Sequence, residues 1–135
     1  MVASRKPSFL QPLLREPGLA YRIDNSRNGR TVASTLLTAF DSATRRTGLL
    51  RHDNLPEGSA LIIAPSNAVH TIGMRFAIDI AFVRRDGSIV KVYRALRPWR
   101  MAAALRAFAV VELPAGALGA AGTVVGDTLM VVRAE

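Results

Sequence analysis

The sequence predicts an α+β domain: a curved, barrel-like antiparallel sheet of about five to seven short strands with one flanking helix. Three observations predict it. Residues 76–83 alternate with a period of two, Phe76, Ile78, Ile80 and Phe82 against Ala77, Asp79, Ala81 and Val83. Asp86-Gly87 then joins this run to a second alternating run, the strongest short-range signal of a hairpin. Finally, helix signals cluster once, ahead of five strand-like runs with tight links, so helices and strands do not alternate as parallel winding requires.

In chain order, the first thirty residues hold Pro7, Pro12, Pro17, Gly18 and Gly29 with little periodicity. They read as an irregular N-terminal arm, 1–30, with one turn around Phe9 to Leu14 packed on a single globular domain, 31–135. Val32 begins a short apolar run, and Ser34 or Thr35 is placed to cap a helix carrying Leu36, Leu37, Phe40 and Ala43. Gly48 follows Arg45 and Arg46, where a left-handed glycine ends a helix and the two cations suit the negative end of its dipole. Residues 53–58 are a turn by composition. Residues 60–64 form an apolar strand ended by Pro65, and residues 88–94 complete the hairpin. Residues 96–100 read as a loop, 108–113 as a strand, 114–122 as a short small-residue helix or turn, and 128–132 as the last strand.

A chain of 135 residues is one domain by length and buries roughly two-thirds of its unfolded surface, enough to need no staple. It has no cysteine, which excludes disulfides, thiolate metal sites and thiol nucleophiles. Its two histidines, His52 and His70, cannot build a zinc site by themselves, so no metal is expected. Phosphate-binding glycine loop, dinucleotide fingerprint and nucleophile elbow are all missing, so no cofactor is expected either. No apolar run reaches the ~20 residues of a membrane span, no secretory signal is read, and the cytoplasm is the default compartment. The formal charge of +8 comes almost wholly from arginines spread from Arg5 to Arg133. Nucleic-acid binders concentrate charge on a face or run, so the scatter reads as compositional, with a polyanion partner as the alternative.

The chemistry-bearing residues gather in one place. A polar loop carries Asn67, His70 and Thr71 directly into the strand that holds Asp79, with Arg75 between them. His70 has the type and near-neutral reference pKa of a general acid or base. Asp79 interrupts an apolar strand, where a carboxylate is costly unless hydrogen-bonded. Arg75 is about 13 Å away along an extended strand at ~3.3 Å per residue, too far to pair with it. Backbone N–H groups of a neighbouring loop or helix start would serve Asp79 instead. Glu112 shares the phase of Phe108 and Val110 and points toward apolar surroundings. Trp99, between Pro98 and Arg100, is placed either to stack on a ligand or to anchor its loop.

The run His70-Thr-Ile-Gly-Met-Arg-Phe-Ala-Ile-Asp79, with Asp86-Gly87, Glu112-Leu-Pro-Ala-Gly116 and Val125-Gly-Asp127, resembles an uncharacterised prokaryotic family, domain of unknown function 192. The helix ending in Thr47-Gly-Leu-Leu50 and the turn Leu55-Pro-Glu-Gly58 resemble it too, and the likeness runs from about Val32 to Val132. Ala77 stands where the family pattern often has proline. Members often carry an export signal or lipid anchor, and neither is read here. The resemblance implies a small mixed domain with a curved antiparallel sheet and one flanking helix; it brings no activity and no catalytic residue.

The functional expectation is a small soluble domain binding a polar or anionic ligand in a cleft formed by the 66–75 loop. Arg75 is the expected anion clamp, Asn67 and His70 the orienting hydrogen-bonders, and Thr71 and Trp99 further contacts. The enzyme version makes His70 the base, assisted by Asp79 or Glu112, two carboxylates that would face each other across the cleft as in a glycosidase. The alternative is a nucleic-acid or protein interaction module using the arginines.

Overall fold

Strand pairing divides the chain into three sheets in the computed structural model, which describes residues 7–49 and 52–134. The largest has five strands in the order β3 (Thr35–Ala39), β4 (Ser59–Ile63), β9 (Ala109–Pro114), β6 (Ile78–Val83), β7 (Ile89–Leu96). A three-stranded sheet runs β10 (Leu129–Arg133), β1 (Tyr21–Asn25), β2 (Thr31–Ala33). A two-stranded ribbon pairs β5 (Ala68–His70) with β8 (Met101–Ala103). The helices α1 (Gln11–Arg15), α2 (Ser42–Thr47) and α3 (Ala117–Ala120) are all short.

The middle strands β4, β9 and β6 are buried almost end to end because both faces of the five-stranded sheet are covered. On one face Ile62, Val83, Val111 and Leu113 pack with Ile23 and Leu129 of the smaller sheet, with Leu10 at the start of α1 and with Leu118 of α3. On the other, Leu61, Ile63, Ile80, Phe82 and Val110 pack with Leu49, Met74 and Ala102. Each fully buried aliphatic or aromatic side chain stabilises the fold by about 1.5–3 kcal/mol. The alternation of β9 therefore sends Val111 and Leu113 into the first core and Val110 and Glu112 into the second.

The β6–β7 hairpin forms as its sequence indicates. Asp86 accepts from the backbone N–H and hydroxyl of Ser88, and Gly87 takes φ +89°. Glycine is required there twice over, since a Cβ would also collide with the Leu129 carbonyl oxygen. The five strands read from sequence are β4, β6, β7, β9 and β10, the small-residue segment contains α3, and the turn around Phe9 is α1.

Elsewhere the structure corrects the reading. Among the described residues there are ten strands in open sheets and three helices, so the barrel-like closure, the five to seven strands and the single helix are not what the chain adopts. The segment expected to begin the helix is strand β3, which pairs parallel with β4 from Thr35 opposite Ser59 to Ala39 opposite Ile63. The sheet is thus mixed, with α2 in the crossover, where only antiparallel pairing was expected. The helix that does form is capped by Asp41, whose carboxylate accepts from the Thr44 N–H at 2.8 Å, while Gly48 ends it as expected. Within the stretch read as an irregular arm, β1 is the middle strand of the smaller sheet: Tyr21, Ile23 and Asn25 point inward. Residues 1–6 of that stretch, and Leu50 of the family-like helix end, lie outside the described residues.

Candidate functional site

Asp79 is fully buried on the first-core face of β6, and both its oxygens are occupied. Oδ1 accepts from the Ala95 N–H at 2.8 Å and Oδ2 from the Leu118 N–H at 3.0 Å. The first bond holds a bulge in β7, where the register slips and Ala95 takes φ +48°; the second satisfies a donor in the first turn of α3. The carboxylate ties three elements together and is spent on structure.

Thr71 is likewise fully buried, donating to the Arg97 carbonyl at 2.7 Å and accepting from the Arg100 N–H at 2.9 Å. Its carbonyl takes the Trp99 N–H. Thr71 therefore clasps the 96–100 loop, which leaves the Trp99 ring largely exposed at φ +64°. Arg75 pairs with Asp53, both side chains mostly in solvent. Asn67 is exposed, and its backbone carbonyl accepts the Ala104 N–H.

His70 and Glu112 do meet in one cleft. It measures about 540 Å³ and lies between the C-terminal part of α2, the chain from Pro65 to His70, and the second-core face of the large sheet. Asn67, Thr71, Arg75, Asp79 and Trp99 do not line it. His70 sits on its exposed rim, with Nδ1 accepting the Ile72 N–H at 3.3 Å. Glu112 forms part of the floor at 4 % exposure. It is opposite Leu61 on one side and Ile80 on the other, and its Oε2 has no hydrogen-bond partner among the described residues. Burial pushes its carboxyl from the ordinary 4.5 up to about 7.

The expected facing of Asp79 and Glu112 across a cleft does not occur. Asp79 pairs with Leu113 and Glu112 with Ile80, so the two carboxylates project from opposite faces of one sheet.

Sequence reasoning missed the cleft's cations. Arg45 and Arg46 both line it. Arg45 is committed, donating to the Phe40 carbonyl at 2.8 Å and the Ser42 hydroxyl at 3.4 Å. Arg46 is exposed and makes no hydrogen bond or ion pair among the described residues. The signal was visible as an arginine pair at a helix end, but only the long-range fold brings that end over Glu112.

The other dense polar cluster closes on itself. Asp127, nearly buried, accepts from Asn25 at 2.8 Å, from the Val124 N–H at 3.0 Å and from Arg27 Nε at 2.6 Å. The hydrogen bond from Arg27 holds this carboxyl well below the usual carboxylate range. Among the described residues no group of three or more histidine and carboxylate side chains could hold a metal ion, and no helix is long and apolar enough to cross a membrane.

Comparison with known proteins returns the same fold. A protein from Sinorhizobium meliloti, provisionally described as a transcription regulator, is similar with a TM-score of 0.73 and 21 % identity, over 82 % of this chain and 91 % of that one. A protein of unknown function from Novosphingobium aromaticivorans is similar with a TM-score of 0.68 and 20 % identity, over 83 % of this chain and 86 % of that one. At such identities the likeness is one of fold. No curated protein matches the chain. The model of domain of unknown function 192, described as an uncharacterised ACR, matches residues 23–131, a span holding the second core, most of the first and the whole cleft, and the chain belongs to that family.

Proposed function

We propose that the chain is a binding domain for a small polar or anionic ligand, received in the cleft between α2 and the 65–70 segment. The observation that carries this reading is Glu112: a carboxyl in an apolar floor with an oxygen that no described residue satisfies. Such a group costs stability where it stands, and a fold has no need of it at that position. A cleft of about 540 Å³ falls in the range that small-molecule sites occupy. Arg46 at the rim supplies a cation with no partner among the described residues, and His70 a further polar group. Arg75, engaged with Asp53 away from the cleft, is left out of this reading. A second hollow of about 490 Å³ beside α1 and β3 carries no acid, histidine or arginine and has less to offer a polar ligand.

The test is a thermal-shift panel of organic acids, sugars, inorganic anions, divalent metals and short oligonucleotides on wild type and Arg46→Ala. Stabilisation by one small class, lost in the variant, supports the reading. Stabilisation by oligonucleotides alone, fading with salt and indifferent to Arg46, would replace it with a nucleic-acid surface. A carboxyl titrating near neutrality, in one cleft with His70, also suits proton transfer, so compounds that bind are followed for turnover.

A further inference from the structure

We infer that the cleft takes a small hydroxylated organic acid, its carboxylate at Arg46 on the rim and its hydroxyl at Glu112 on the floor. This rests on the cleft being a binding site and names the chemistry that the site selects. Three features of the cleft argue for it.

The first concerns the cations. Arg45 already serves the Phe40 carbonyl and the Ser42 hydroxyl, whereas Arg46 lines the cleft with no hydrogen bond or ion pair among the described residues. One guanidinium matches one carboxylate, bound through two parallel N–H donors.

The second is the wall between rim and floor. Leu49, Ile63, Val69 and Met74 line the cleft together with Arg46 and Glu112, so part of the ligand's body meets apolar side chains.

The third is the floor, where three kinds of ligand group compete for Glu112. An anion would set like charges together away from water. An ammonium would require Glu112 to ionise among Leu61, Ile80 and Met74, with two ions desolvated for one pair. A hydroxyl both donates and accepts, so it can bond the Glu112 carboxyl where it lines the cleft, whichever way the proton on the carboxyl lies. A site built to bond a hydroxyl discriminates strongly against the analogue that lacks it, because the buried partner is then left unpaired.

The experiment measures affinities for matched probes: para-hydroxyphenylacetate with phenylacetate, ω-hydroxyhexanoate with hexanoate, and tyramine as the amine. Each is titrated into wild type, Arg46→Ala, Glu112→Leu and Glu112→Gln, with melting curves establishing that every variant is folded. The expected result is a preference of about tenfold or more for the hydroxy acid in at least one pair. That preference should vanish in Glu112→Leu and survive in part in Glu112→Gln, which keeps a hydrogen-bonding head, while Arg46→Ala weakens both members of the pair. Equal binding within both pairs, a preference that persists in Glu112→Leu, or tighter binding of tyramine overturns the inference. If carboxylates still bind through Arg46 in those cases, the anion-binding reading stands without it. If no probe binds, the inference fails, and the wider panel then decides the anion-binding reading separately.

Discussion

Replacing Glu112 by glutamine should change how stability depends on pH, and the change has a definite sign. In the unfolded chain this carboxyl titrates near 4.5; in the folded protein burial raises it to about 7. Well below pH 4.5 both states hold the proton and the group adds no pH dependence to folding. Between 4.5 and 7 the native state keeps a proton that the unfolded state has released, so wild-type stability falls as pH rises. Above 7 the loss is complete and constant. At 1.36 kcal/mol per pH unit, a displacement from 4.5 to about 7 amounts to about 3 kcal/mol. Glutamine does not titrate, so its own fixed cost is the same at every pH. Urea unfolding of wild type and Glu112→Gln at intervals from pH 4 to 8.5 measures the difference, and the other carboxylates cancel in it. The variant should gain about 3 kcal/mol on wild type across that range, mostly between pH 5 and 7. Glu112→Leu should behave in the same way from a higher baseline, since an apolar side chain suits that floor. Parallel curves, or a difference of opposite sign, would refute the assignment of Glu112 as an unpaired buried acid.

Other substitutions separate structural polar groups from functional ones. Asp79→Ala strips two donors, the Ala95 and Leu118 N–H groups, and should cost about 2–4 kcal/mol in denaturant unfolding without altering ligand binding by the folded fraction. Asp127→Asn breaks the set joining Asn25, Arg27 and Val124 and should cost about 2–3 kcal/mol at pH 7. Because the Asp127 carboxyl is held low, wild type keeps that contribution above about pH 4 and loses it as acid protonates the group; the cost of the substitution should shrink in the same window. Gly87→Ala meets both a left-handed backbone and the Leu129 carbonyl, so it should lower stability by more than the about 1–3 kcal/mol of backbone strain alone.

The parts of the fold legible in the sequence are those set by neighbours in the chain. The β6–β7 hairpin needs only alternation and Asp86-Gly87, and β4, β9 and β10 announce themselves as apolar runs between turn residues. Asp79 was legible too: a carboxylate mid-strand with no cation in reach must find backbone donors, and it finds Ala95 and Leu118. What failed depended on distant partners. Leu36, Leu37 and Phe40 satisfy a helical spacing, and only pairing with Ser59–Ile63 makes that segment a strand. The alternation of Tyr21, Ile23 and Asn25 was present, but the prolines and glycines around it obscured a strand completed by residues 129–133. The site divided along the same line. Glu112 could be seen to point into apolar surroundings from its phase in β9, whereas its separation from Asp79 follows from register, and the approach of Arg46 from the crossover between β3 and β4.

Amide chemical-shift mapping of the labelled protein with the strongest organic-acid ligand of the panel tests whether small acids bind over Glu112, as proposed. The expected shifts cluster at Arg46, Ser66, His70, Met74 and Glu112, and disappear in Arg46→Ala. Shifts centred instead on Trp99 and Met101, or spread over arginines far from the cleft, would contradict it.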